Sequence, residues 1–389
     1  MAVPSVRDEI HAVLAGRFAP ASGDDAVTVL GAGTDDLDEG RAWLAALSDG
    51  GWAVPTWPSE YGGRDASPAD TTLIVRALAR FRQPDLYPYL VGLHVVAPTL
   101  LTSATPEQCA RWLPAIRTGE EIWCQLFSEP GAGSDLANVA TRAVRDGDEW
   151  RLTGQKVWSS RAHYSRWGFC LARTDVDVSK HAGITAFVVD MRAPGVDVRP
   201  LTQMNRDAHF SEVFLDDVVV PDAERIAGVG EGWPVARTAL ANERGAVGAV
   251  TSGLGMPSAR LLDLARRHPG ERARLDRVMR VHVDAEVARL TARRARDRSQ
   301  AGTPGPEGSG AKLRGSAVFK ATADTALSLL GPSAVTESDE WQTLFLTAPS
   351  ISIRGGTDEI QRNIIGERVL GLPPEPRVDT DRPYRDIAH

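Results

Sequence analysis

The spacing of hydrophobic residues divides the chain into three stretches with different periods. In about the first hundred residues, Leu37, Trp43, Leu44 and Leu47 recur at helical spacing, and the pattern predicts a helix over 38–46. A second amphipathic helix is predicted over 69–82, after a loop rich in proline and glycine. The first stretch is therefore predicted to be helical.

From about residue 120 the hydrophobic period shortens to two. Strand-like runs are predicted at 149–152, 156–158, 168–173, 184–190 and 212–214. Turn signals separate them, among them Asp146-Gly147, Thr153-Gly154 and Pro221-Asp222. This pattern predicts an antiparallel, mostly β segment.

After Gly232 the helical period returns. Helices are predicted at 235–248, 260–268, 273–296 and 311–330. The order of helices, then strands, then helices is typical of an α+β fold rather than of alternating βαβ units. We divide the chain into an N-terminal helical domain at 1–118, a middle β domain at 119–231 and a C-terminal helical domain at 232–389.

Composition narrows the possible functions. The formal net charge of −7 argues against nucleic-acid binding, because phosphate contacts need positive charge. No apolar run approaches the roughly 18 residues of a membrane helix. The N-terminus lacks a secretory signal pattern, and three widely spaced cysteines favour a reducing compartment. We expect a cytoplasmic protein without membrane spans, and no metal-ligand spacing is present.

One Gly-rich turn stands out at the junction between the helical and β stretches. It reads Phe-Ser-Glu-Pro-Gly-Ala-Gly-Ser-Asp over 127–135. Exposed backbone N–H groups and hydroxyls in such a turn can hold a phosphate or a planar polar cofactor. From composition alone, a purely structural turn is equally possible.

At this turn the chain resembles the acyl-CoA dehydrogenase family, whose members use FAD to introduce a 2,3-double bond into acyl-CoA thioesters. The resemblance rests on segments in the family's order and spacing, at 52–63, 128–135, 154–160, 214–221 and 356–373. It implies a helical domain, a β domain and a C-terminal four-helix bundle.

The resemblance also implies where FAD binds. The residues matching the family's flavin-binding positions in the middle domain are Gln125, Phe127, Ser128, Gly133, Ser134, Trp158, Ser159 and Ser160. Trp158 matches the aromatic residue that packs against the flavin, although a strand tryptophan alone would more often belong to the core. Thr357 and Glu359 match positions near the dinucleotide end of FAD, usually reached from a neighbouring subunit.

The catalytic base is expected at one of two family positions. Many members place a glutamate two residues before the threonine of the C-terminal motif, where this chain has Gly355. Isovaleryl- and long-chain-type members instead carry it on a C-terminal helix, just before an arginine. This chain has Glu243 followed by Arg244 there. Glu243 is therefore the predicted base, removing the α-proton while hydride leaves the β-carbon for flavin N5.

The same comparison implies the substrate contacts, which are Ser134, Arg244, Arg354 and the backbone of Gly355. Arg354 would place a cation at the mouth of the acyl pocket, where it either pairs with Glu243 or meets a polar acyl group. His94 lies on an apolar face, which is typical of a core or pocket-wall histidine.

The implied partners are an acyl-CoA or carrier-protein thioester and an electron-accepting flavoprotein. The implied assembly is a homotetramer or a heterotetramer with a related subunit. The heteromeric alternative arises because the family's R-x-x-F-G…Q pattern, which holds FAD across a subunit interface, is not found. Two other functions remain open on this scaffold. One is a non-catalytic partner subunit, and the other is a flavin monooxygenase or oxidase.

Overall fold

A computed structural model describes residues 5–22, 36–253, 258–268, 272–300, 307–336, 340–376, 379 and 381–387. The helices of the first part are α1 (Val6–Leu14), α2 (Leu37–Ser48), α3 (Pro68–Leu78), α4 (Ala97–Ser103) and α5 (Pro106–Thr118). Both predicted helices are present, although α3 ends four residues before the predicted boundary at 82. A π-helix, Val91–Val96, runs directly into α4.

Side-chain caps define where α5 begins and fasten it to the rest of the chain. The Thr105 hydroxyl oxygen accepts from the backbone N–H of Gln108, and the Gln108 side-chain oxygen Oε1 accepts from the backbone N–H of Thr105. The same amide Nε2 donates to the carbonyl oxygens of Ala223 and Arg225, at 2.9 and 2.8 Å. The last helix of the first part is thus attached to the β domain.

The middle part is an eight-stranded sheet. Its strands are β1 (Trp123–Leu126), β2 (Arg142–Asp146), β3 (Glu149–Ser160), β4 (Trp167–Arg173), β5 (Ile184–Asp190), β6 (Val196–Leu201), β7 (Phe210–Pro221) and β8 (Arg225–Ile226). Their order is β6-β7-β3-β2-β4-β5-β8, and β1 pairs with β4.

Two features of the strand prediction were wrong. The sheet is not wholly antiparallel, because β1 runs parallel to β4 and β2 meets β4 in the parallel sense. The predicted turn at Thr153-Gly154 lies inside β3, so two predicted strands form a single one. Gly154 is needed there for a close approach, since a Cβ at this position would lie 2.4 Å from the Thr141 hydroxyl oxygen.

The strands β4 and β5 are covered on both faces. Phe169 and Leu171 face the core shared with the N-terminal helices, whereas Cys170 and Ala172 face a separate core within the β domain. This alternation follows from the period of two along a strand. The middle of the sheet is therefore buried on both faces. Side chains that contact a ligand are expected at the ends of the strands and in the turns.

The helices of the last part are α6 (Gly232–Gly253), α7 (Ser258–Arg267), α8 (Arg272–Gln300), α9 (Glu307–Leu330), α10 (Ser333–Thr336), α11 (Glu340–Ile351) and α12 (Asp358–Arg368). Within these described residues, α9 packs against α6, α8, α11 and α12. The helix α6 also packs against the π-helix, α4 and β5, which brings it to the junction of all three parts. The predicted α+β arrangement is confirmed.

Candidate active site

The carboxylate predicted to be the base lies at the end of the first strand. The amide Nε2 of Gln125 in β1 is 3.3 Å from Oε2 of Glu243 in α6, across 118 positions of sequence. Both residues are half-buried. One residue earlier on α6, the Asn242 amide donates to the Thr99 hydroxyl at 3.3 Å, which fixes this turn of the helix against α4. Two predicted site residues are thus brought together. Arg244 follows in α6, but its side chain lies outside the described part of the chain.

The turn after β1 lies directly beside β3. The carbonyl oxygen of Ser128 accepts from the backbone N–H of Val157 at 2.9 Å. Phe127 is buried and packs against Phe169, whereas Ser128 keeps part of its surface open. This contact brings the predicted cofactor turn next to Trp158.

A buried ion pair beneath this turn was not predicted from the sequence. The Lys156 ammonium donates to Glu129 Oε1 at 2.7 Å and to the carbonyl oxygens of Phe127 and Leu171, at 3.2 and 2.7 Å. Burial raises the pKa of the Glu129 carboxyl, but the charge and hydrogen bond of Lys156 outweigh it, so the pKa is lowered overall. Glu129 and Lys156 both lie in segments that carry the family resemblance, at 128–135 and 154–160. A lysine within a predicted strand was the signal in the sequence that could have revealed the pair.

Trp158 is not a core tryptophan. Its side chain is 59% exposed, and its backbone has a φ of +61° at a point where the β3–β7 register shifts. The ring packs edge-on against Phe210, with centroids 5.9 Å apart. A bulky residue held in the left-handed region at a bulge is strained, and such strain is concentrated at functional sites. One face of the indole is therefore available to a planar ligand.

The three predicted serines near this ring differ in exposure. Ser160 is half-buried and Ser134 is exposed, so both hydroxyls are accessible. Ser159 is fully buried, and its hydroxyl has no hydrogen-bond partner in the described structure. In register with it on β7, the buried Ser211 hydroxyl is also unsatisfied there. The role of Ser159 toward a cofactor stays a prediction.

The Gly-rich turn is open in front and restrained from behind. A Cβ at Gly131 or Gly133 would meet nothing within 4 Å. Behind the turn, the Lys180 ammonium contacts Asp135 at 2.8 Å and Asp379 of the C-terminal tail at 2.5 Å. This tail contact was not predicted, because it links positions 199 residues apart.

The C-terminal tail makes a second contact with the same turn. The Tyr384 ring lies 3.7 Å from the Arg173 guanidinium carbon, and its hydroxyl donates to the Asn138 carbonyl at 3.4 Å. Arg173 in turn donates to the carbonyl oxygens of Ala137 and Val139, at 2.7 and 3.0 Å. The segment after Ser134 is therefore held by these charged and carbonyl contacts in addition to the apolar packing of Leu136, Ala137 and Val139 in the core.

The C-terminal motif forms a tight turn between α11 and α12. Gly355 and Gly356 have φ values of +65° and +84°, which favours glycine at both positions. The Gln361 amide, which is 1% exposed, donates to both of their carbonyl oxygens at 3.2 Å. The Thr357 hydroxyl caps α12 by accepting from the Ile360 N–H. Gln361 was missed in the sequence, although it lies within the quoted motif.

The two predicted dinucleotide contacts on α12 differ from each other. Thr357 is partly covered and serves as the cap, whereas Glu359 is exposed and pairs with Arg362 at 3.4 Å. The buried acid of this turn is Asp358, which contacts the Lys312 ammonium at 2.9 Å. The position of Glu359 leaves its carboxylate at the surface of the chain.

His94 is not a core residue, because its side chain is exposed. It lies on the π-helix that packs against α6, and its side chain reaches open space. Protein atoms surround it on most sides, and this burial lowers the pKa of the imidazole. The histidine is thus favoured in its neutral form beside the helix that carries Glu243.

Comparisons with known proteins decide the family. Models of the acyl-CoA dehydrogenase N-terminal, middle and C-terminal domains match residues 7–120, 124–218 and 230–370. The acyl-CoA dehydrogenase IpdE1 of Mycobacterium tuberculosis is 40% identical, over 93% of this chain and 94% of that protein. The chain belongs to the acyl-CoA dehydrogenase family.

A second relative from the same organism, acyl-CoA dehydrogenase FadE34, is 45% identical over 84% of this chain. The chain spans about half of that relative's length, namely 46%. Among solved structures, the ChsE4–ChsE5 complex from Mycobacterium tuberculosis aligns with a TM-score of 0.74 and 29% identity. That alignment covers 96% of this chain and 100% of the other. The Tcur3481–Tcur3483 steroid ACAD aligns with a TM-score of 0.77 and 25% identity, over 95% and 94% of the two chains.

Members of this family are FAD flavoprotein oxidoreductases, and the residues present fit that cofactor. An exposed aromatic face at Trp158, accessible hydroxyls at Ser128, Ser134 and Ser160, and open space above Gly133 suit a planar, polar molecule. No helix among the described residues is both long and apolar enough to cross a membrane.

Proposed function

We propose that the protein catalyses the α,β-dehydrogenation of an acyl-CoA thioester, with Glu243 as the general base. Glu243 takes the α-proton of the acyl group, and the product is the 2,3-unsaturated thioester. FAD, when bound, supplies the two-electron oxidant that accepts the β-hydrogen as hydride. The residues proposed to hold FAD are Phe127, Ser128, Trp158 and Ser160, with Ser134 at the thioester side.

The observation that carries this proposal is the contact between Gln125 and Glu243. It holds a carboxylate from α6 against the end of β1, two residues before the turn at 127–135, which lies beside the exposed Trp158. Position and orientation are the first requirement for a general base. The Gln125 amide supplies orientation, and the bond from Asn242 to Thr99 limits movement of the helix turn behind it.

A thioester α-proton is a weak acid, so the charge that develops on the carbonyl oxygen must be stabilised. We propose the backbone N–H of Gly355 as one donor. Gly355 and Gly356 turn the chain in the left-handed region, and Gln361 holds this turn from the buried side. A fixed backbone donor loses no side-chain entropy when charge develops, which suits this role.

The variant Glu243→Gln tests the base assignment. It keeps the size of the side chain and removes its basicity, so the rate of anaerobic flavin bleaching by acyl-CoA should fall by about 10²–10⁴-fold. FAD affinity should stay unchanged, as measured by flavin fluorescence. Glu286→Gln, an exposed glutamate on α8, is the matched control. Full bleaching by the Glu243 variant would show that another group removes the proton.

We further propose that the protein works as an oligomer, either with its own copies or with a related subunit, and passes electrons to an electron-accepting flavoprotein. The exposed apolar residues of α8 support this proposal, namely Leu275, Met279, Val283 and Leu290. The solved relatives named as complexes favour a two-subunit assembly.

Light scattering of the purified chain, alone and mixed with a related subunit, measures the assembly. A chain that binds FAD only in the mixture would identify the heteromeric form. A chain that stays monomeric in both samples would contradict the assembly proposal. If the mixture bleaches equally with Glu243→Gln, this chain is the non-catalytic partner, which the glycine at position 355 also permits.

A further inference from the structure

Arg354 is a buried cation that the described chain leaves incompletely paired. Its guanidinium donates a hydrogen bond to the Tyr87 hydroxyl oxygen, and the Nη2 atom has no partner among the described residues. Burial lowers the pKa of the guanidinium, and the Tyr87 hydroxyl opposes this shift. Some of the side chain nevertheless remains open to solvent.

An arginine in this position keeps its charge, because guanidinium does not lose its proton in proteins. Removing a charge from water without a counter-ion is strongly unfavourable, so buried cations are normally paired with an acid. Within the described residues, no carboxylate pairs with Arg354. The missing partner is therefore expected to be an anion that the described residues do not supply.

The surroundings of Tyr87 place this cation beside the proposed active site. The Arg161 guanidinium lies over the Tyr87 ring at 4.3 Å, and the ring of His209 packs against it edge-on at 6.3 Å. Arg161 follows directly after β3, three residues beyond Trp158. The next residue after His209, Phe210, is the one that packs against Trp158. A continuous chain of contacts thus links Arg354 to the exposed indole.

His209 adds a second polar group at the same place. Its Nδ1 is 2.8 Å from Asp207 Oδ2, while its Nε2 is buried and has no partner within the described part. Arg354 lies near enough to help lower the pKa of this imidazole, behind the larger effect of burial. Nη2 of Arg354 is therefore a donor without a partner among the described residues, whereas Nε2 of the neutral His209, whose Nδ1 proton faces Asp207, can only accept a hydrogen bond.

We propose that Arg354 binds a carboxylate carried by the acyl group, so that the preferred substrates are thioesters of dicarboxylic acids. The planar fork of a guanidinium matches a carboxylate with two parallel hydrogen bonds, which makes arginine well suited to this recognition. Arg354 precedes Gly355, the proposed carbonyl-side donor, so a group bound there belongs to the acyl part of the ligand. This inference rests on the proposed dehydrogenase function.

Another source of negative charge is FAD itself, through its phosphates. The two sources predict different effects of Arg354. A contact with an FAD phosphate would strengthen FAD binding whichever substrate is used. A carboxylate contact would change only the preference between charged and uncharged acyl groups.

The test compares thioesters of equal carbon number, adipoyl-CoA with hexanoyl-CoA and suberoyl-CoA with octanoyl-CoA. Anaerobic bleaching rates and thioester binding are measured for the FAD-loaded wild type, Arg354→Gln and Arg354→Lys. Arg314→Gln, an exposed arginine on α9, is the matched control. Apparent FAD affinity is measured for each protein separately.

The wild type should prefer the dicarboxylic member of each pair, and Arg354→Gln should reduce that ratio by about 10–100-fold, the size expected for charge-assisted hydrogen bonds. Arg354→Lys should retain part of it. The inference is overturned if the ratio does not depend on Arg354, or if Arg354→Gln weakens FAD binding and leaves the ratio unchanged. If neither member of either pair bleaches the wild type, the dehydrogenase proposal itself is at fault.

Discussion

The buried pair of Lys156 and Glu129 gives the sharpest test of how the cofactor turn is held. Replacing Lys156 by Met keeps the length of an unbranched side chain and removes the ammonium. The wild-type lysine is fully buried, and its Nζ contacts Glu129 Oε1 and the Leu171 carbonyl at 2.7 Å each. The variant therefore leaves a carboxylate without its counter-ion inside the domain.

The size of the effect follows from what remains around Glu129. Its side chain is 6% exposed and keeps two backbone donors, the N–H groups of Ala140 at 2.6 Å and Thr141 at 3.0 Å. Removing one partner of a buried ion pair costs about 3–5 kcal/mol. Domains are stable by about 5–15 kcal/mol, so Lys156→Met should remove a large part of the free energy of unfolding. The double variant with Glu129→Gln should recover some of the loss, because no unpaired charge is then buried.

The pH dependence separates this electrostatic effect from lost packing. The lowered pKa of Glu129 means that the pair stabilises the fold above the usual glutamate pKa, and this contribution is lost as the pH falls through the folded pKa. In Lys156→Met, the largest influence opposing burial is removed and only the hydrogen bonds around Glu129 remain, so the pKa of Glu129 rises relative to the wild type. The difference in stability between wild type and variant should therefore shrink from pH 7 toward pH 4.

Urea unfolding followed by circular dichroism measures both effects. Arg151→Met is the control, because Arg151 pairs with Asp146 and Asp217 at the surface and should lose far less. The reasoning is refuted if Lys156→Met costs no more than this control, or if its cost stays constant between pH 7 and pH 4.

Three further predictions concern the same site. Tyr384→Ala removes the ring packed on Arg173, so amide hydrogen exchange at 131–138 should quicken and FAD affinity should fall; unchanged exchange would contradict a role for the tail. Trp158→Gly relieves the positive φ, so the apoprotein should be no less stable by urea unfolding, yet FAD should bind more weakly, while Trp158→Phe should retain binding. The pKa of His209 is lowered chiefly by burial, so the free energy of unfolding should fall as the pH drops below about 6.5. In His209→Gln, this part of the pH dependence should disappear, as measured by urea unfolding.

Strongly periodic segments of the sequence predicted their own structure well. The strand predicted at 184–190 coincides with β5, whose residues are almost all buried, and the helix predicted at 273–296 lies within α8. In both segments, the local hydrophobic pattern alone is sufficient to predict the element. The helix α11 was missed, although its buried residues Trp341, Leu344, Ala348 and Ile351 recur at helical spacing, because Pro349 lies inside its last turn and is typical of a helix end.

The strand β1 shows why other elements escaped prediction. It is four residues long, and it is stabilised by parallel pairing with β4, whose partner residues lie 44 positions later. A pairing of that kind leaves no local signal in four residues. The contact of Gln125 with Glu243 is of the same type, and only the family resemblance pointed to both residues.

The exposed and unsatisfied groups of the site have a common physical origin. The described residues leave Trp158 and Gly133 open and the Nη2 atom of Arg354 unpaired, whereas the segments that carry them are restrained from the buried side. Lys156 and Lys180 both restrain the Gly-rich turn at 127–135, through Glu129 and Asp135 respectively, and both ammonium groups are buried. Ion pairs between distant segments restrain the backbone at a few points and leave the opposite face free, and their partners are therefore invisible to any analysis of local sequence pattern.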